Sequence, residues 1–414
     1  MSKKMLLDWE RVVEGGFGNK HNLCAWSMNE YNKQIYVGTL NFANGCQVYR
    51  SNSGDKGTWR QVNENGFGDS NKSEGARTMI VFKNLLWIAT FSMNYGTQIW
   101  VTNGEDNDRD GIINWKKANI NGFGEGNRTH GSRAMIIYND KLHIGTQCKK
   151  GLPRIYSYNG STDFDKIQPD KWDCINNSMQ NDIQNIPDFS LVGEMINFKT
   201  PDRKDYIYAA FYSEVVPLIG RLMREFNTRN LLKIIKFFTL LRCKIWRYDG
   251  IKWEEISRPG FGKSNIMTMS SLFDKKTIYF GTTNILGGEI WKTEDGEKWL
   301  RIVKRGFGYP FNISVWRLHK FENKIIVGMQ NQWLGCQIWA STKENPMNNK
   351  DFAQIGRTGM QQKIQYNPFK LKQDGIRTFE TFNNYLYAGT ASDVNIIVSD
   401  TIGPGCEIWR IKNI

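Results

Sequence analysis

The sequence predicts an all-β protein, a seven-bladed β-propeller closed by its N-terminal strand, with an α-helical insertion in blade 4. Two observations predict the propeller and a third predicts the insertion. A short aromatic phrase occurs seven times, a Gly-Phe-Gly phrase occurs five times at comparable spacing, and one interval between repeats is much longer than the others. Short strands repeated every ~40–50 residues are typical of propeller blades.

The first phrase reads Gly, any residue, Glu or Gln, Ile or Val, and then Trp or Tyr. Its copies occupy 45–49, 96–100, 287–291, 335–339 and 405–409, with weaker copies at 152–156 and 242–246. The surrounding residues alternate between apolar and polar types and are divided by Gly, Asn and Asp, a pattern typical of short strands joined by turns.

The second phrase, Gly-Phe-Gly, follows an aromatic marker in five repeats. The markers, including the two in repeats that lack the phrase, are Trp9, Trp59, Trp115, Trp172, Trp253, Trp299 and Phe352. They are 50, 56, 57, 81, 46 and 53 residues apart. We interpret Gly-Phe-Gly as a turn in which glycine permits positive φ and the phenylalanine fills the gap between blades.

Each repeat has room for four strands. In blade 2 we expect the innermost strand near 77–82, the second near 85–90, the third near 97–102 and the outer strand from Trp115. The chain begins with an outer-strand tryptophan, and its last phrase ends at residue 409. The N-terminal strand should therefore complete the last blade of one domain spanning 1–414, because closure removes the edges that a linear array would expose.

These repeats resemble a bacterial propeller repeat of uncharacterised proteins, Gly-Gly-Glu-Val-Trp-Arg-Ser-x-Asp-Gly-x-x-Trp followed by Gly-Phe-Gly. Residues 287–299 match it most fully, and Thr293-x-Asp295-Gly296-x-x-Trp299 within them resembles a shortened Asp-box of sialidase-type propellers. The resemblance covers nearly the whole chain except 157–242. It implies a propeller and no particular activity, because Asp-boxes are structural turns far from the sialidase site.

Composition favours an acidic partner. Lys and Arg exceed Asp and Glu by 14, which suits an anionic lipid surface or an acidic small ligand. No nucleic acid is expected, since no basic and aromatic module accompanies the charge. The seven cysteines include no CxxC pair, and no apolar run reaches the length of a membrane span. We therefore predict a cytoplasmic protein, peripheral on the membrane, without metal or cofactor.

The longest interval contains residues 214–242, which we interpret as an amphipathic helical insertion within blade 4. Six basic residues and one acid lie between residues 217 and 243, a composition typical of a helix at a membrane interface. The expected membrane contacts are Leu231, Leu232, Ile235, Phe237, Phe238, Leu241, Arg229, Lys233 and Lys236. A homodimer or other protein contact is one alternative, and internal packing is another.

Aligning the innermost strands on their last aromatic residue selects one position in each blade. That position holds Trp26, Arg77, Arg133, Trp316 and Arg377 in five blades, Thr268 in blade 5, and Gly193 or Glu194 in blade 4; Arg317 is one residue out of register. Because strand residues alternate between faces, the arginines converge if this position faces the central funnel. They would then bind an anion bidentately, unless each pairs with an acid such as Glu74, Asp374 or Glu380.

Other polar residues complete the candidate site. Asn41, Asn284 and Asn331 each follow a strand end and either contact a polar ligand or form turns. Glu194 is the candidate general acid or base, because apolar neighbours in its strand would raise its pKa. Asp188 and Asp393 are further candidates.

Three functions fit these features. The first is a membrane-surface propeller that binds an anionic, amphipathic or lipid-like ligand in an arginine-lined funnel, with Glu194 transferring protons if a reaction is catalysed. The second is a non-catalytic protein-interaction scaffold. The third is a sialidase-like or lyase-like carbohydrate enzyme, although the chain lacks a Phe-Arg-Ile-Pro motif and its seven repeats exceed the six blades typical of sialidases.

Overall fold

The structure is a computed structural model that describes residues 3–68, 73–107, 111–149, 151–181, 190–213, 241–309, 311–360, 373–392 and 403–414. Within these ranges the chain is nearly all β, with 29 strands in one network of almost entirely antiparallel pairs, several short 3-10 turns and one four-residue α-helix, α1 (Arg305–Gly308). The predicted insertion 214–242 lies outside the described residues, apart from its last two residues.

The strands are short and follow one another at regular intervals. In chain order they are β1 (Lys3–Lys4), β2 (Glu10–Val13), β3 (Cys24–Tyr31), β4 (Gln34–Leu40), β5 (Val48–Ser51), β6 (Arg60–Gln61), β7 (Gly75–Phe82), β8 (Leu85–Phe91), β9 (Ile99–Thr102), β10 (Lys116–Lys117), β11 (Thr129–Tyr138), β12 (Lys141–Cys148), β13 (Ile155–Tyr158), β14 (Trp172–Cys174), β15 (Ser190–Lys199), β16 (Asp205–Ser213), β17 (Lys244–Tyr248), β18 (Trp253–Glu255), β19 (Met267–Asp274), β20 (Thr277–Thr283), β21 (Ile290–Thr293), β22 (Leu300–Val303), β23 (Ser314–Phe321), β24 (Lys324–Gln330), β25 (Gln337–Ser341), β26 (Phe352–Gln354), β27 (Gln373–Phe382), β28 (Tyr385–Ser392) and β29 (Ile408–Ile411).

Strand pairing divides the described residues into seven four-stranded antiparallel sets. Sets 1 to 6 are β3–β6, β7–β10, β11–β14, β15–β18, β19–β22 and β23–β26, each paired in sequence order. Set 7 is β27–β29 with β2 as its fourth strand. The strands expected in the second repeat are confirmed to within two residues at most boundaries.

The sets follow one another around a ring. The first strand of each set lies against the first strand of the next, and β27 of set 7 lies against β3 of set 1. At six of the seven junctions in the described chain, the second strand of one set also pairs with the first strand of its neighbour. This arrangement is propeller-like, and the first strands face the centre.

The N-terminal segment closes the ring. Glu10 pairs with Arg410 and Arg11 with Trp409, so β2 completes set 7 as the sequence predicts. An additional pairing was not expected, because β1 lies parallel to β26 with Lys3 opposite Ala353. The segment before β2 therefore extends set 6, and the segment after β1 crosses to set 7.

The core is divided among the junctions between sets. Among the described residues there are seven hydrophobic clusters; six combine side chains from two neighbouring sets, and the seventh extends from the junction of sets 4 and 5 to residues of sets 6, 7 and 1. Trp87 of set 2 and Ile144 of set 3, for example, share one cluster and are fully buried. Because burial of apolar area is the main favourable term in folding, each set depends on both neighbours for its core.

The Gly-Phe-Gly phrase joins consecutive sets through its phenylalanine. Each phenylalanine stacks on the aromatic residue of the first phrase in the following set, with ring centroids 4.0–5.1 Å apart and planes within 11° of parallel. The pairs are Phe17–Tyr49, Phe67–Trp100, Phe123–Tyr156, Phe261–Trp291 and Phe307–Trp339. The predicted gap-filling role of the phenylalanine is therefore confirmed.

The backbone at this turn differs from the prediction in one respect. Positive φ is adopted by the first glycine and also by the phenylalanine, with φ between 55° and 67° at the five phenylalanines. A left-handed residue with a side chain costs roughly 1–2 kcal/mol, so the turn is strained. Parallel stacking, worth about 0.5–1.5 kcal/mol beyond burial, offsets that strain.

We predict that Phe307→Ala lowers the free energy of unfolding by about 3–5 kcal/mol, because it removes a buried ring and leaves the strained backbone. Phe307 is only 2% exposed. Phe42→Ala is the matched control, since Phe42 is 47% exposed and should lose no more than about 0.5 kcal/mol. Denaturant midpoints measure both variants, and equal losses would contradict the proposed role of the stack.

Candidate functional site: an arginine-lined channel

A β-bulge interrupts the first strand of every set in the described chain. Each bulge inserts one extra residue in the register with the second strand, as Arg77 stands between the pairs Ala76–Thr90 and Thr78–Ala89. The bulged residues that share one level are Trp26, Arg77, Arg133, Gly193, Met269, Trp316 and Arg377, and β11 and β27 each contain one further bulge nearer the start of the strand. A bulge re-aims the side chain of its extra residue, so these seven positions form one layer around the centre.

Alignment of the sequence identifies this layer in six sets. In set 5 the expected residue Thr268 is wrong, because the strand runs to Asp274 and the bulged residue is Met269. In set 4 the bulged residue is Gly193, and Glu194 pairs with Ala210.

The four predicted arginines come together. Arg77, Arg133, Arg317 and Arg377 line a single cavity of about 30 Å³ that Trp26 also borders. Arg317 directly follows Trp316, the bulged residue of its strand. It borders the channel although it is one residue out of register. A cavity of this size holds about two water molecules, or one compact oxyanion group.

Guanidinium groups and indole rings alternate around half of the layer. Arg77 lies 5.1 Å from the centre of the Trp26 ring, and Arg377 lies 5.5 Å from that ring and 4.8 Å from the Trp316 ring. The order Arg77, Trp26, Arg377, Trp316 follows sets 2, 1, 7 and 6. Cation–π contact of this kind holds arginine side chains in place without neutralising them.

Glycine makes room for this stack at the start of three strands. A Cβ on Gly75 would lie 2.2 Å from Trp26, and one on Gly375 would lie 1.9 Å from Trp316. A Cβ on Gly131 would lie 2.9 Å from Arg77. The pattern Gly-x-Arg at 75–77, 131–133 and 375–377 therefore marks the channel, and it could have been found in the sequence.

Arg133 crosses set 4 to reach set 5. Its Nη2 donates to the backbone oxygen of Met269, and its Nε lies 3.6 Å from Oε1 of Glu194. The first strand of set 4 presents no side chain at this level, because its bulged residue is Gly193. The ring of Tyr212 occupies that space, 2.0 Å from where a Gly193 Cβ would stand, and its hydroxyl lies 3.5 Å from the Met269 sulfur.

The channel carries excess positive charge. Among the described residues, neither Arg317 nor Arg377 has an ion pair or a protein hydrogen bond, so the predicted pairing with acids does not occur at these two positions. Burial, followed by the charges of Arg133 and Arg77, lowers the pKa of Arg377 to about 9. The group remains charged at neutral pH, and its environment disfavours that charge.

Two carboxyl groups stand beside these arginines. Glu194 is 8% exposed and accepts a hydrogen bond of 3.1 Å from Ser271 Oγ; burial raises its pKa, while Arg133 and Arg317 lower it. From the sequence, Glu380 is expected only as an acidic partner of an arginine. Burial raises its pKa to about 7, and the charge of Arg317 opposes this rise. Glu380 lies three residues beyond Arg377 on β27.

The asparagines predicted to bind a ligand belong to turns. Asn41, Asn284 and Asn331 are at most 4% exposed, and each donates through Nδ2 to a buried asparagine of its own or the neighbouring set at 2.8–3.1 Å. The side-chain oxygen of each accepts from a backbone N–H two or three residues ahead. Their assignment to the ligand site is therefore corrected, since every polar atom is already used within the fold.

Of the residues predicted to contact a membrane, Leu241 alone lies within the described residues. Arg229, Leu231, Leu232, Lys233, Ile235, Lys236, Phe237 and Phe238 lie outside the described residues, as do Asp188 and Asp393. Leu241 is described and is 3% exposed, so its predicted insertion into a membrane is wrong for this structure. No helix in the described ranges is long and apolar enough to cross a bilayer, and no cluster of metal-ligating side chains occurs in them.

Comparison with solved structures finds similar chains at low identity. A polysaccharide lyase, Uly1, is 8% identical with a TM-score of 0.49, over 94% of this chain and 90% of the lyase. Trypanosoma rangeli sialidase is 12% identical with a TM-score of 0.43, over 84% of this chain and 57% of the sialidase. The phage phi92 endosialidase is 9% identical with a TM-score of 0.46, over 98% and 69%. No protein-family model and no curated protein matches the chain.

We predict a pH-dependent contribution of Glu380 to stability. Its native pKa of about 7 exceeds the ordinary value of 4.5, so the unfolded chain loses this proton first and stability falls as pH rises between those values. Relative to Glu380→Gln, the wild type should lose at most about 3 kcal/mol of unfolding free energy across this range.

Urea titrations at several pH values measure this difference. Glu64→Gln serves as the control, because Glu64 is exposed and does not influence the pKa of Glu380. A difference between wild type and Glu380→Gln that stays constant with pH would contradict the assignment.

Proposed function

We propose that this protein binds a small anion, or the acidic group of a larger ligand, in the arginine-lined channel of a seven-bladed β-propeller. The observation that carries the proposal is the cluster of four arginines around one cavity, two of them without an acidic partner in the described chain. Guanidinium groups bind carboxylate, phosphate and sulfate through paired hydrogen bonds. A bound anion would also relieve the repulsion that lowers the pKa of Arg377.

The proposal treats each four-stranded set as one blade. Seven sets within the described residues, first strands in mutual contact around a ring, and completion of set 7 by β2 support this interpretation. Ring closure brings the bulges of all seven first strands to one level. The arginines of sets 2, 3, 6 and 7 can therefore face one another across the channel.

The size of the cavity limits the ligand. The space between the arginines, about 30 Å³, suits a carboxylate or another compact oxyanion group. A larger ligand would insert only its acidic group between the arginines. An acidic sugar and an anionic lipid both meet this requirement.

Membrane association through 214–242 stays a proposal that rests on the composition of this segment. Its six basic residues and wide apolar arc suit an anionic surface, which would present an amphipathic ligand to the channel. A homodimer contact through the same segment is the competing proposal.

We predict that small oxyanions stabilise the wild-type protein and that Arg377→Met removes at least half of this effect. A ligand at about 100 times its Kd adds about 2.7 kcal/mol to the unfolding free energy. Thermal unfolding with sulfate, phosphate, acetate, glucuronate and N-acetylneuraminate, each against chloride at equal ionic strength, measures the effect. Losing one of four arginines should weaken binding at least about ten-fold, the factor given by about 1.4 kcal/mol.

Arg258→Met is the matched control, because Arg258 is exposed and lies outside the channel. It should keep the full anion response. If no anion in the panel raises the wild-type Tm, or if both variants respond alike, the channel is not an anion site.

A second candidate function is acid–base catalysis on a ligand held by these arginines. The observation that favours it is Glu194, a buried carboxyl group with a raised pKa that accepts from Ser271 and lies beside Arg133. A carboxyl group in this state can hold a proton at higher pH than usual and deliver it to a leaving group, or remove one beside a carboxylate. Acidic sugars are the substrates to assay first, since they carry the anionic group that the channel requires.

We predict that Glu194→Gln, if a turnover is found with sialoside or uronate-containing substrates, lowers kcat at least about 100-fold, the scale of general acid–base catalysis. Binding of the product acid should change little, because the arginines remain. Steady-state kinetics together with titration of the product separates the two effects. Unchanged kcat in the variant would remove Glu194 from the reaction.

A further inference from the structure

One cross-strand pair recurs in the sets and contains a tyrosine and a basic residue. A tyrosine on the second strand stands directly opposite an arginine on the third in sets 1, 4 and 7 and opposite a lysine in set 5. The pairs are Tyr36–Arg50, Tyr208–Arg247, Tyr387–Arg410 and Tyr279–Lys292. All of these tyrosines are at most 2% exposed, so each basic residue lies beside a buried tyrosine at the junction with the following set.

In the three arginine pairs the following set supplies a carboxylate. Arg410 contacts Asp55 at 2.7 Å, Arg247 contacts Glu297 at 3.2 Å, and Arg50 contacts Asp106. Each acid stands four residues after the end of a third strand, since β5 ends at residue 51, β9 at 102 and β21 at 293. In these three sets the fold therefore places a carboxylate of the following set against the arginine, which is buried in sets 1 and 7 and partly buried in set 4.

Set 5 keeps the cation and lacks the acid. The third strand of set 6, β25, ends at residue 341, so the equivalent residue is Asn345. Lys292 is 4% exposed; its Nζ donates to Asn345 Oδ1 and lies 3.1 Å from the Met347 sulfur. In the described chain it has no carboxylate partner, and burial lowers its pKa.

A cavity opens where that carboxylate is missing. Its volume is about 660 Å³, and it lies at the junction of sets 4, 5 and 6. Four lysines border it, Lys199, Lys276, Lys292 and Lys298. Cavities of about 300–1,000 Å³ are the usual size of small-molecule sites.

The two acids at this cavity are already engaged. Glu294 pairs with Lys276 at 2.8 Å. Asp295 accepts from the backbone N–H groups of residues 297 and 298 and from Thr293 Oγ1 at 2.8–2.9 Å. Lys199 and Lys298 have no ion pair among the described residues, so the cavity retains unneutralised positive charge.

We propose that this cavity binds a small molecule carrying an oxyanion group, and that this group contacts Lys292 in the place that a protein carboxylate takes in sets 1, 4 and 7. The site is separate from the arginine-lined channel and does not depend on the function proposed for it. Lys298 and Lys199 stand at the cavity border to pair with the remaining negative charge. Pro201, Leu300 and Met347 add apolar surface for the body of the ligand.

The oxyanion could belong to free phosphate or to an ester with an organic body. We therefore compare inorganic phosphate with phenyl phosphate by isothermal titration of the intact protein. Tighter binding of phenyl phosphate by five-fold or more would assign the apolar wall to the ligand body, and equal affinities would assign the site to the bare anion. Absence of a Lys292-dependent site for either probe would overturn the proposal.

Asn345→Asp is the decisive variant, because it restores the carboxylate found in the other sets. We expect it to raise the Tm of the free protein and to weaken phenyl phosphate binding at this site at least ten-fold. Lys292→Met should remove the same binding. Lys275→Met is the matched control, since Lys275 is exposed, pairs with Glu344 and does not border the cavity. Phosphate bound in the central channel would be unaffected by Asn345→Asp.

Reductive methylation of lysines, read by peptide mass spectrometry, gives a second test that needs no variant. Phenyl phosphate should slow modification of Lys292 and Lys298 several-fold and leave Lys275 unchanged. Equal protection of all three lysines, or of none, would show that the probe does not occupy this cavity. A phenyl phosphate affinity that Asn345→Asp leaves unchanged would contradict the proposal in the same way.

Discussion

One bulge at a common level in each innermost strand decides what lines the channel. In an uninterrupted strand, successive side chains alternate between the channel and the junctions between sets, so two consecutive residues cannot both face the channel. The bulge re-aims one residue per set, and the same side chains then meet at one level around the ring. The chemistry of the channel therefore depends on these seven positions and on the adjacent Arg317, while most of each strand remains available for packing.

The electrostatics of this layer explain its side-chain composition. Four arginines in so small a space repel one another, and burial adds to the penalty on each charge. Trp26 and Trp316 separate Arg377 from its neighbours and offer it their ring faces, and three glycines leave room for the stack. Glu194 balances part of the charge near Arg133. The remaining excess of positive charge is the basis of the proposed anion binding.

Repetition made much of this predictable from sequence. Phrases that recur at fixed spacing revealed the strands, the turn phenylalanines and the level of Arg77, Arg133 and Arg377. Features without a repeat signature were missed or misassigned. Thr268 was chosen for set 5 because the last aromatic residue, Phe273, does not end its strand, and the asparagines were ambiguous until their hydrogen bonds were known. The properties of Glu380 and Lys292 depend on their tertiary contacts. Neither burial nor the lack of a carboxylate partner for Lys292 in the described chain can be recognised from the sequence pattern.

The central claim is that the channel holds an oxyanion between its arginines, and diffraction from crystals soaked in sodium selenate tests it most directly. The account predicts an anomalous selenium peak in the cavity, within hydrogen-bonding distance of guanidinium nitrogens from at least two of Arg133, Arg317 and Arg377. Selenate found elsewhere on the molecule, with only solvent between these arginines, would contradict it.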